Sequence, residues 1–200
     1  MSWLLIFGGA CLCVVSLVLP ALAAVYFLYA AQNEAATERR VRETGRPVLA
    51  IIVMVNSEFL HETSIASAPA LTIFSHDPPS PSLAHRLRDL ADDLFDLYTA
   101  DDEEIAGLPP HQQRAAALVK NDSFHEGRRN QVPLELTQGA AIYLADLWLH
   151  RDRLPEHAGI SRTLACMVNG QAQGDIILLP PSDPLAQPIY AAAGVAPYTP

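Results

Sequence analysis

Apolar positions run almost unbroken through the first 31 residues, and no side chain from Trp3 to Ala31 carries a charge. About 20 apolar residues suffice to cross a bilayer, so residues 1–31 are expected to form a transmembrane helix. Trp3 at one end and Tyr26 and Tyr29 at the other suit the two membrane interfaces, and Pro20 is tolerable as a kink. Ala21-Leu22-Ala23 has the small-x-small form of a signal-peptidase site. No Lys or Arg occurs in residues 1–10, however, and the apolar run continues through Val25 and Leu28. A secretory signal needs a positive leading segment, so an uncut anchor is the expectation. Gly9, Cys13 and Ser16, with Pro20, would line one helix stripe of small residues where another helix could approach. Chance placement explains that stripe as well.

The pattern turns polar over residues 32–46, which read as a helical juxtamembrane linker ended by Gly45 and Pro47. Arg39, Arg40, Arg42 and Arg46 cluster here. The positive-inside rule then places the rest of the chain on the cytoplasmic face of a bacterial inner membrane.

From Pro47 the apolar positions take shorter periods. PVLAIIVMVN, residues 47–56, is a continuous Val/Ile-rich run and predicts a buried strand; ALTIFS, residues 70–75, predicts a second. HDPPSPS, residues 76–82, breaks the pattern, and Ser80-Pro81 reads as a helix cap followed by Pro at the first position. Leu83, Leu87, Leu90, Leu94 and Leu97 then recur at helical spacing, with Asp89, Asp92, Asp93 and Asp96 between them. This spacing predicts an amphipathic helix over 82–98. A further helix is expected at 110–119. Residues 140–150, AAIYLADLWLH, fit either state; the alternation of Tyr143, Ala145, Leu147 and Leu149 against Asp146 and His150 favours a strand. Strands at 162–168 and 175–179 flank Asn169-Gly170, a hairpin signal. A short helical turn near 184–193 and a flexible tail at 191–200 complete the chain. The expected fold class is α+β: a single transmembrane helix, then a small, mostly antiparallel sheet packed with amphipathic helices, the soluble domain spanning 47–190.

Charge sharpens this picture. The chain carries 13 basic and 22 acidic residues, a net charge of −9, and the excess acid lies beyond residue 46. Phosphate binding requires clustered Lys and Arg, so a nucleic-acid partner is argued against. From Asp89 to Glu104 there are eight acidic residues and no basic one. This stretch lacks a calcium-loop pattern, and a solvated helix face accounts for much of it. Its end, Asp101, Asp102, Glu103 and Glu104, is the candidate docking surface for a basic protein partner.

No nucleotide-binding, zinc-protease or hydrolase motif occurs, so no cofactor, metal or catalytic residue is assigned. His61-Glu62, His76-Asp77 and His85 lack metal-site spacing. Cys166, the one cysteine beyond the apolar segment, reads as a small core residue. The functional expectation is a membrane-held interaction or regulatory domain. Two alternatives stand beside it: an enzyme whose site draws on His85, His125, His150 and nearby carboxylates, and a periplasmic sensor or binding domain if the orientation is reversed.

Overall fold

The computed structural model describes residues 22, 24–26, 28–29, 32–33, 35–55, 67–120, 129–150, 163–170 and 175–197. The chain divides into two compact units, Met1–Glu43 and Thr44–Pro200. In the first, the described residues are helical.

The structure corrects the expectation of a transmembrane helix. Among the described residues no helix is long and apolar enough to cross a membrane. The physical reason is the composition of the described helix. It is apolar from Leu22 to Tyr29 and polar from Gln32 onward. The single-pass anchor and the inner-membrane localisation built on it are therefore not supported among the described residues. Trp3, Gly9, Cys13, Ser16 and Pro20 lie outside the described residues. Tyr26 and Tyr29 sit exposed on the helix. Arg39, Arg40 and Arg42 belong to its polar part, where Arg42 Nε donates to Glu38 Oε1 at 3.0 Å and Arg40 Nη2 to Thr37 Oγ1 at 3.2 Å. Arg46 begins the first strand. With no described span to orient, these arginines assign no membrane side.

The second unit is α+β. Its strands are β1 (Arg46–Val55), β2 (Ser67–Ser75), β3 (Arg129–Gln131), β4 (Ile142–His150), β5 (Thr163–Val168) and β6 (Ile176–Leu178). They form one six-stranded sheet in the order β3-β4-β2-β1-β5-β6, with every neighbouring pair antiparallel. Two prolines lie inside the inner strands, and the register shows why they are tolerated. Pro47 opposes Met167 of β5, whereas pairing with β2 starts only at Ala50. Pro69 opposes Trp148 of β4, whereas pairing with β1 stops at Ala70. Each therefore stands where its strand has one paired neighbour, and the missing N–H interrupts no two-sided ladder. Between Ile52 and Met54 the β1–β2 register shifts by a bulge.

The sheet curls. β4 and β6 come into contact although three strands separate them in the order. Val48, Ala50, Ile52, Ala70, Phe74, Ala145, Leu147, Leu164, Cys166 and Val168 make one buried cluster on the inner, concave face, joined by Ile176 and Leu178 of β6. Side chains alternate across a strand, so Leu49, Ile51, Leu71, Ile73 and Leu144 point the other way. They too are buried. Helices cover that second face.

Among the described residues the unit also has four helices: α1 (Pro81–Thr99), α2 (Asp102–Ala106), α3 (Pro110–Lys120) and α4 (Ala186–Ala193). α1 lies on β1 and β2, α4 on β1 and β5, and α3 packs against α1. Ser80 caps α1, its Oγ accepting from Leu83 N at 3.2 Å, with Pro81 at the first helical position. Leu83, Leu87, Leu90, Leu94 and Leu97 are all buried, and burying such a side chain contributes about 1.5–3 kcal/mol. α4 ends at Gly194, whose φ of 66° lies in the left-handed region that favours glycine. Tyr190, 1% exposed, reaches from α4 to the sheet, where its hydroxyl oxygen accepts from Ala165 N at 3.2 Å.

Candidate functional site

α1 buries its leucine stripe together with Ala84 and Ala91, and its acidic positions face outward. Asp89, Asp92, Asp93 and Asp96 are exposed. They repel one another at close range. The carboxyl of Asp93 is raised above the ordinary aspartate value, first by partial burial and then by repulsion from Asp96, Asp89 and Asp92. Counter-charges lie one helical turn before them: Arg86 and Arg88 are exposed on the same helix at i−3 to Asp89 and i−4 to Asp92, and His85 Nε2 stands 3.5 Å from Asp89 Oδ2 and acts only when protonated.

The next acidic residues are built into the chain's own structure. Asp101 is the N-cap of α2. Its Oδ1 accepts from Glu104 N at 2.8 Å, and Glu104 Oε2 accepts from Asp101 N at 3.1 Å, a complete capping box. Asp102 and Glu103 occupy the first turn of α2, where the positive end of the helix dipole favours carboxylates. The single Lys of the chain meets this junction. Lys120 Nζ, at the end of α3, donates to Ala100 O and stands 3.7 Å from Asp102 Oδ1. It brings a cation to the end of α1, whose last turn has no basic residue of its own.

The four residues expected to form a docking surface thus divide. Asp101 and Glu104 are engaged in capping, Asp102 is partnered by Lys120 while fully exposed, and Glu103 projects free of any such structural role. The larger part of the acidic face is the α1 quartet. Its carboxylates and those of α2 follow one another along the chain with only Ala100 and Asp101 between the two helices.

The histidines proposed for an assembled catalytic site are not brought together among the described residues. His85 is exposed on α1. His125 lies outside the described residues, as do His61 and Glu62. His150 is the last residue of β4 and opposes Ser67. His76 is instead half-buried within a ring cluster, edge-on to Phe74 at 5.6 Å and to Tyr143 at 5.2 Å, while Phe74 and Tyr143 stack at 5.8 Å. Among the described residues no group of three or more His, Cys, Asp or Glu could hold a metal ion. Cys166 is completely buried on the concave face, and burial pushes its thiol up to about 12, far from a nucleophilic thiolate.

By sequence Asp146 is one of the polar positions alternating with an apolar face. It opposes Leu71 in the register, on the helix-covered side of the sheet, and burial lifts its carboxyl to about 7. Ile142 and Leu144 on the same side are buried, so the first half of β4 is enclosed on that face too. A lone Asp inside an otherwise apolar run is the one sequence signal for such a group.

The chain matches no known protein family, no curated protein and no solved structure.

Proposed function

We propose that the unit beyond Glu43 is a protein-interaction domain that receives a basic partner segment on the outer face of α1, extended by Asp102 and Glu103 of α2. The observation that carries this reading is the charge distribution on α1. Its Leu face is spent on the sheet, while Asp89, Asp92, Asp93 and Asp96 share the opposite, exposed face, where their mutual repulsion adds to partial burial in raising Asp93. Holding like charges together costs stability, and a cationic partner relieves that cost. Arg-rich peptide suits the surface, because guanidinium forks pair with two carboxylate oxygens at once. The same charge disfavours a nucleic-acid backbone.

The test compares two charge-matched variants of the full chain. One carries Asp89→Asn, Asp92→Asn, Asp93→Asn and Asp96→Asn. The other carries Glu38→Gln, Glu43→Gln, Asp77→Asn and Glu135→Gln, four exposed residues outside this face. Binding of an arginine-rich peptide is measured by calorimetry at low and physiological salt. The α1 variant is expected to lose about tenfold or more in affinity, roughly 1.4 kcal/mol, and the control distinctly less. Equal losses in both variants would mean that net charge alone attracts the peptide, and the α1 face would be set aside.

A further inference from the structure

We draw no further inference here: the strongest candidate, the outer edge of β4 beyond its pairing with β3, where the half-buried Asp146 sits on the helix-covered side of the sheet, carries nothing because no described residue shows what covers that edge and the raised carboxyl alone does not make a site.

Discussion

Tyr190 and Asp146 show opposite ways of placing a polar group near the core. The Tyr190 hydroxyl has a defined partner. It accepts from Ala165 N, a strand N–H on the side where the next contact is Leu179 N donating to Ala165 O. Tyr190→Phe keeps the ring and strands that buried donor. The expected cost is about 1–3 kcal/mol, the desolvation of an unsatisfied group, read as a lower denaturation midpoint at unchanged slope. A midpoint within error of the parent would mean that Ala165 N has another acceptor. Asp146 has no such partner among the described residues. Its carboxyl titrates near 7 in the fold against an ordinary 3.8, so the folded state binds the proton more tightly than the unfolded chain. Stability from this group is therefore greatest below about pH 4, falls as pH rises toward 7, and is level above that. Asp146→Asn should leave stability at pH 4 almost unchanged. At pH 8 it should raise it by on the order of 1–2 kcal/mol, after discounting for the solvent that still reaches a half-buried group. Parallel stability curves for the two proteins from pH 4 to 8 would refute this account.

Among the elements, legibility tracks how much of each is determined locally. α1 is readable because three local signals agree: the Ser80 cap, Pro81 at the first position, and five leucines at helical spacing. β1, β2, β5 and β6 are readable from apolar runs between breakers. The turn after β5 is marked by Asn169-Gly170; Gly170 has a φ of 65°, and Asn169 Oδ1 accepts from Asp175 N at 2.8 Å. β3 is not readable. Arg129-Asn130-Gln131 contains no apolar residue, and the segment is a strand because β4 offers it an edge at Tyr143–Ala145. α2 is hidden for the same kind of reason. Five residues are too few to form an isolated helix, and this one is held by its capping box and by the α3 lysine at its start. Asp101→Ala removes the side-chain half of that box. A loss of about 0.5–2 kcal/mol is expected in thermal or chemical melts, and Asp101→Asn should restore most of it. If Ala and Asn behave alike, the cap contributes nothing to the fold. The same interactions explain what spacing alone leaves out of the acidic stretch: it reveals where carboxylates fall, but not which of them the backbone already uses.

For the whole molecule, the antiparallel α+β character of the second unit is legible and the arrangement is not. A majority of strands without regular strand–helix alternation implies such a unit. The order β3-β4-β2-β1-β5-β6, the curl that brings β6 to β4, and the division of apolar residues between two sheet faces all depend on contacts distant in sequence. For the N-terminal span, apolar length is the only criterion the sequence offers, and among the described residues no helix is long and apolar enough to cross a membrane. Cys166 provides a probe of how firmly the unit closes. It is enclosed between the strands of the curl, so reaching it requires the sheet to open. Thiol labelling with peptide mass mapping should find Cys166 inert in the native protein at pH 8 and fully reactive in denaturant. Prompt native labelling at that position would show that the concave face is open to solvent.

The position of β1 in the sheet also governs how the protein is made. β1 is flanked by β2 and β5, and its contact with β5 joins Ile51 to Thr163. On a ribosome the β1–β2 hairpin emerges early, but the other side of β1 waits for roughly 110 further residues, on the order of ten seconds of synthesis. Throughout that interval the most apolar strand of the nascent chain has one uncovered edge, open to chaperones and to wrong pairings. A fragment ending between His150 and Thr163 keeps that edge permanently, so such shortened versions of this protein should aggregate even though they retain α1 and the strands β1, β2, β4 and β3.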